Sequence, residues 1–182
     1  MKKMLLVACL TTASLNLYGI TISGFGTGQF TVDDGLTSFT DLQSSTGLNI
    51  SGSDLGNTLF GTFTPIDITG LSVLELTASV VTNPASNFNF QLFDSSFNTQ
   101  TYSGNWNSFG TGVNTTISLN FLSTGAGFDP TDVQSLLITA DGTGDTLNVI
   151  LDEVEISAIP EPSTMTLLFL GAYALIFGRR KR

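Results

Sequence analysis

Through the middle of the chain, apolar and polar residues alternate. Leu74, Leu76, Ala78 and Val80 fall on one face, and Glu75, Thr77 and Ser79 on the other. Phe88, Phe90 and Leu92 alternate with Asn89 and Gln91, and Ile117, Leu119 and Phe121 with Ser118 and Asn120. A period of two is that of half-buried antiparallel strands. Further strands are predicted at 20–23, 29–32, 37–42, 48–50, 58–64, 99–103, 134–140 and 146–157. Turn signals separate them: Asp33-Asp34-Gly35, Asn83-Pro84, Asp129-Pro130 and the run from Asp141 to Asp145. A single helical turn is expected over 132–136. Many short strands divided by regular turns predict an all-β, antiparallel sandwich, jelly-roll-like in its connections. A β-solenoid is the alternative for so Asn-, Gly- and Thr-rich a chain, but no fixed repeat supports it.

The pattern changes at both ends. Lys2 and Lys3 precede an apolar run from Met4 to Leu10. That is the form of a secretory signal peptide, assigned to residues 1–19 with Gly19 the last removed. Leu6-Val7-Ala8-Cys9 has the look of a lipoprotein cleavage motif, but cleavage there would leave too short an apolar core. Near the other end, Pro160 and Pro162 cannot continue a strand ladder, so the domain is expected to span 20–159. Residues 163–178 are apolar and uncharged, and as a helix would reach about 24 Å at ~1.5 Å per residue. A single transmembrane helix is expected there, with slight bilayer thinning or snorkelling to close the gap to a ~30 Å core. Arg179, Arg180, Lys181 and Arg182 would remain cytoplasmic, with the domain outside.

Charge sharpens this division. All six basic residues of the 182-residue chain lie in the two ends, and no histidine occurs. All fifteen acidic residues lie between Asp33 and Glu161. Such a domain has no salt bridges and no means of neutralising phosphate, which excludes nucleic acid as a partner. Carboxylates crowded without cations are expected to titrate high, so that the fold gains stability as pH falls. Cys9 is the only cysteine and goes with the signal peptide, so no disulfide is expected.

Pro160-Glu161-Pro162, the apolar helix and the Arg179-Arg180 basic end, in that order, resemble the PEP-CTERM sorting signal of Gram-negative bacteria. The resemblance covers residues 160–182 only. It implies that the tail is read by exosortase, a membrane-embedded cysteine protease, with Pro160, Glu161, Pro162, Arg179 and Arg180 as the sorting residues. It implies an inner-membrane-anchored precursor, export through the Sec translocon, cleavage by signal peptidase, and delivery to the cell surface or extracellular matrix. Exopolysaccharide often accompanies such proteins.

Candidate chemistry within the domain is sparse. Without histidine, lysine or a mature cysteine, the serines have no base, and zinc has no soft ligand. No catalytic residue is assigned. Paired carboxylates leave a small glycoside hydrolase as one alternative. Asp152 shares a face by parity with Ile150, Val154 and Ile156. A carboxylate on an apolar face must be paired, protonated or metal-bound. The run from Leu151 to Ile156 is similar to the last strand of carbohydrate-binding jelly rolls, where an acid helps hold a structural Ca²⁺. That resemblance makes Asp152 a candidate Ca²⁺ ligand, and Asp33 and Asp34, in an early turn, could supply further oxygen ligands. The plainer expectation is a bulge that turns Asp152 to solvent. Tyr102, Trp106 and Phe109 lie in a Gly/Asn/Ser-rich stretch and are the candidate ligand-binding residues, since rings on a loop stack on sugars. The competing expectation is that Trp106 packs over an open end of the sandwich, because large aromatics usually bury their area.

The sequence thus describes an exported surface or matrix protein, structural or adhesive and not catalytic, associated with exopolysaccharide. A carbohydrate-binding module is the first alternative.

Overall fold

Among the described residues the chain forms ten strands: β1 (Gly19–Gly24), β2 (Thr31–Val32), β3 (Thr40–Ser44), β4 (Gly47–Ile66), β5 (Val73–Thr82), β6 (Asn87–Asp94), β7 (Thr99–Asn105), β8 (Thr115–Ser118), β9 (Asn120–Thr124) and β10 (Val133–Ser157). One 3-10 turn, Trp106–Ser108, follows β7. They are seen in a computed structural model that describes residues 19–82 and 86–158. The signal peptide up to Tyr18, the Asn83-Pro84 turn, the Pro-Glu-Pro motif, the expected helix at 163–178 and the basic end lie outside those residues. Among the described residues, no helix is long and apolar enough to cross a membrane. Gly19–Ile159 forms a compact unit by itself.

Every strand ladder is antiparallel, and two long strands organise them. β4 has 20 residues and β10 has 25. They pair along most of their length, with register shifts between Thr139 and Asp141 and between Asp141 and Thr146. At that break both strands bend, so one hydrogen-bonded network folds into two facing sheets, as when strands pass between the layers of a sandwich. The front sheet runs β2–β4–β10–β6–β7–β9. In the back sheet, residues 146–157 of β10 pair with β5, which pairs with β8. On the other side of that segment stand residues 48–53 of β4, next to β3, and then β1.

The inner faces meet in one core. Phe88, Phe90, Leu92, Leu136 and Ile138 come from the front, and Leu74, Leu76, Val80, Val149 and Val154 from the back, all fully buried. No cationic side chain occurs between Gly19 and Ile159. Apolar burial, at about 25 cal/mol per Å², and the backbone ladders therefore hold the unit together.

Three local expectations need correction. The strands expected at 48–50 and 58–64 are one strand, β4, and those at 134–140 and 146–157 are β10. The Asp-Gly-Thr-Gly-Asp run bends a continuous strand instead of separating two. The helical turn expected over 132–136 is instead the start of β10, since Val133 and Leu136 are core residues. Ile117, Leu119 and Phe121 all turn inward, Ile117 opposite Leu76, Leu119 in the core and Phe121 against Tyr102 with centroids 5.8 Å apart, but they belong to two sheets. The chain passes from the back sheet to the front at Leu119, leaving Phe121 at the edge, 53% exposed.

Candidate binding surface

The three aromatics proposed from sequence are inside the sandwich. Tyr102 and Trp106 are fully buried and Phe109 nearly so. Trp106 stacks on Phe88 with ring centroids 4.1 Å apart, and Phe109 lies 6.0 Å from Trp106. The 3-10 turn explains this. The Asn105 side chain accepts from the Asn107 amide (2.8 Å), and the Phe109 amide donates to the Trp106 carbonyl (3.2 Å), which turns both rings inward. Burial pushes the Tyr102 phenol up to about 12. Its hydroxyl and the Trp106 Nε1 have no hydrogen-bond partner among the described residues. These rings offer no stacking surface; they fill the core.

Asp152 sits at a bulge. Leu151 pairs with Ala78 and Glu153 with Thr77, so Asp152 is an extra residue in the ladder. The bulge reverses the parity: Leu147, Val149 and Leu151 are buried before it, and Val154 and Ile156 after it. Ile150 therefore does not share the inner face with Val154. The carboxylate is half-buried and accepts from Asn114 Nδ2 at 2.8 Å. Asp33 accepts from the Gly35 amide at an exposed turn, and Asp34 is exposed beside it. Among the described residues no group of three or more acidic side chains is arranged to hold a metal ion, so Asp152, Asp33 and Asp34 do not form a centre.

Two aspartates not singled out from sequence are buried. Asp94 accepts from the amides of Ser96 and Asn98 (both 2.9 Å), from Asn98 Nδ2 (3.0 Å) and from the Asp129 amide (2.8 Å). Burial opposes its charge, but the Asp129 amide and the Asn98 and Ser96 donors outweigh it, and its carboxyl titrates below the usual range. Asp54 lies where β4 and β10 bend. Its Oδ1 accepts from the Gly144 amide at 2.7 Å, while Oδ2 has no hydrogen bond. Burial again opposes ionisation, and the neighbouring backbone amides, the Gly144 amide first, outweigh it and bring its pKa below the ordinary value. A Cβ on Gly142 would overlap this carboxylate. Asp54 thus shapes the bend of β10, and Asp94 the turn after β6.

The turn fixed by Asp94 holds Phe97 at φ +62°, the only non-glycine residue with positive φ among the described residues. That region costs an L-residue roughly 1–2 kcal/mol.

The outer face of the front sheet carries no charged side chain in its cross-strand rows, although Phe60 and Ser135 within them are buried. Cross-strand register aligns its side chains in rows. Thr58, Thr139, Asn89, Ser103 and Asn120 form one, across five strands. Phe60, Leu137, Gln91, Thr101 and Ser123 form the next, and Thr62, Ser135, Phe93 and Thr99 the third. At one end the first row opens into a cavity of about 290 Å³ lined by Asn87, Asn89, Ser103, Asn105, Ser118 and Asn120, with Asp141 at its wall. Asn105 Nδ2 donates to Asn87 Oδ1 at 2.8 Å, which orients both amides. The back sheet's outer face is different. Glu75 pairs directly with Glu155, and Glu153 accepts from the Thr21 hydroxyl at 2.7 Å. One face is neutral and rich in donors and acceptors; the other is acidic.

Solved structures with a similar fold fall into two groups. An agarase is matched at a TM-score of 0.58 and 9% identity over 78% of this chain, but this chain spans only 25% of that one. The family 11 carbohydrate-binding module of a cellulosomal cellulase of Clostridium thermocellum is matched at a TM-score of 0.52 and 11% identity, over 81% of this chain and 98% of the module. A family 30 carbohydrate-binding module is matched at 0.51 and 13% identity, over 79% and 100%. At such identities the likeness is one of fold. No curated protein matches the chain in sequence. Residues 158–182 match the PEP-CTERM protein-sorting motif, and the chain therefore carries that sorting signal.

Proposed function

We propose that this is a non-catalytic surface or matrix protein, structural or adhesive, whose front sheet holds neutral exopolysaccharide. The sorting motif supports export and reading by exosortase. On this reading residues 1–19 direct the chain to the Sec translocon and signal peptidase. The helix at 163–178 anchors a precursor in the inner membrane, and Pro160, Glu161, Pro162, Arg179 and Arg180 are the residues read at processing. The released unit, 20–159, then acts at the surface or in the matrix. Strands that pass between two antiparallel sheets suit the jelly-roll-like sandwich expected from sequence.

The observation that carries the binding reading is the set of rows on the front sheet. Amides and hydroxyls each both donate and accept, as sugar hydroxyls do. The rows hold no charged side chain; Asp141 borders them beside Asn87, and Asp33 beside Phe60. A neutral polymer meets neither repulsion nor the cost of burying a charge there. The carbohydrate-binding modules of the same fold support the reading by analogy of architecture alone.

The test is retention of the protein in native gels containing a neutral polysaccharide, such as hydroxyethylcellulose or soluble agarose. The parent protein should be slowed, and the double variant Asn89→Ala/Asn120→Ala should run as in a plain gel. Equal mobility of the parent with and without every neutral polymer tried would refute the reading.

A further inference from the structure

One exposed ring is held where its own backbone resists it. Phe97 has φ +62° and is 69% exposed. Asn or Gly takes such a position freely, whereas Phe is strained there. The turn has no need of the ring. Asp94 fixes it through the Ser96 and Asn98 amides, and the Phe97 amide itself donates to the Asp94 carbonyl at 3.1 Å. What the phenyl group adds must therefore lie outside the turn.

Its ring stands edge-on to Phe93, with centroids 6.4 Å apart, and Phe93 stands edge-on to Phe60 at 6.0 Å. Phe93 and Phe60 belong to successive rows on the front sheet's outer face. The three rings form an apolar strip at the opposite end of that face from the asparagine-lined cavity, running from buried Phe60 through half-buried Phe93 to exposed Phe97. Phe93 is four residue steps along β6 from Asn89, about 14 Å at ~3.4 Å per residue. Gln91 and Thr101 lie between them, in the middle row. From Ser95 to Phe128 the chain has no charged residue.

We propose that Phe97 is the stacking platform for a sugar ring, and that the ligand is a neutral oligosaccharide segment running along the strands from the Asn89 cavity to Phe97. The inference rests on the glycan reading above. The C–H face of a pyranose lies flat on an aromatic ring, while its hydroxyls exchange hydrogen bonds with flanking amides and hydroxyls. A single sugar ring would reach only one end of the surface. A polyanion is disfavoured, because the unit carries fifteen acids less Glu161, fourteen, and no base.

Three variants of the full chain in detergent test this: Phe97→Asn, Phe97→Tyr and Asn89→Ala/Asn120→Ala. Each is run in native gels containing hydroxyethylcellulose, soluble agarose or, as the anionic comparator, alginate. Phe97→Asn should weaken retention by about three- to tenfold, the worth of one aromatic contact. Its melting temperature should equal or exceed the parent's, because the strain is gone. Phe97→Tyr should keep retention, and alginate should retain nothing. If Phe97→Asn is retained like the parent while the asparagine double variant is not, the platform is wrong and the glycan reading stands. If Phe97→Asn loses both retention and melting temperature, the ring is structural and the proposal fails. Protein concentration-dependent mobility in plain gels, abolished by Phe97→Asn, would assign the ring to self-association and also overturn it. Absence of parent retention by every neutral polymer would end both readings.

Discussion

At the scale of single residues, the carboxylates decide how the fold responds to pH. Crowding among acids was expected to raise their pKa values and so to stabilise the unit on mild acidification. The shifts at Asp54, Asp67 and Asp94 go the other way. For Asp54 and Asp94 burial works against the charge, and backbone amides, joined at Asp94 by the Asn98 side chain, overcome it. For Asp67, Thr69 is the main cause, through its side chain and then its amide. A group whose folded pKa is depressed stabilises the fold above its unfolded value, about 3.9 for Asp, and that contribution disappears as pH falls through the folded value. Urea melts should therefore show stability lost below about pH 4, and Asp94→Asn should make that loss shallower. A continuous gain on going from pH 5 to 3 would contradict the assignment. Gly142→Ala should destabilise by about 1–3 kcal/mol, because its methyl group would displace the Asp54 carboxylate. Calorimetry of that variant measures it. Neither aspartate stood out in the sequence. Asp94 was legible in principle, since Asp-Ser-Ser-Phe-Asn is the form of a side-chain-closed turn. Asp54 was not, because its partners are 90 residues away.

At the scale of elements, period-two alternation was a faithful guide wherever a strand stays in one sheet. Leu74, Leu76, Ala78 and Val80 are all buried, as are Phe88, Phe90 and Leu92. It failed where a strand bends or carries a bulge, at Asp152 and along the bend from Asp141 to Thr146. There one added residue moves every later side chain to the other face. The candidate aromatic surface was misplaced for a related reason. Polar neighbours around Trp106 suggested a loop, whereas a 3-10 turn drives the ring inward. Trp106→Ala should cost about 3–5 kcal/mol in urea melts, as for other buried aromatics. Because β10 pairs on both sides along most of its length, its amides and those of β4 should exchange slowest with solvent. β9, an edge strand exposed at all five positions, should exchange fastest. Hydrogen exchange resolved by residue checks this, and faster exchange in the middle of β10 than in β9 would contradict the topology.

At the scale of the whole molecule, the division of charge explains the division of labour. Basic residues occur only in the two ends, and acids only between them. Added salt should stabilise the released unit, because it shortens the Debye length to about 8 Å near 0.15 M and weakens repulsion that no cation offsets. Intact mass of the surface-extracted protein should show both ends removed, near Gly19 and near Pro160–Ser163. A main extracellular species retaining Arg179–Arg182 would contradict processing at the motif. Within the unit the acids favour the back sheet's outer face, and the front is left neutral. The most direct measurement is an NMR titration of the isotope-labelled released unit with a neutral oligosaccharide of the matrix. The expected amide shifts cluster on β6, β7, β9 and residues 133–141 of β10, around Asn89, Gln91, Ser103 and Phe97, with β5 and β8 unmoved. Shifts confined to the back sheet around Glu75 and Glu155, or none with any neutral oligosaccharide, would contradict the assignment of the front sheet as the binding face.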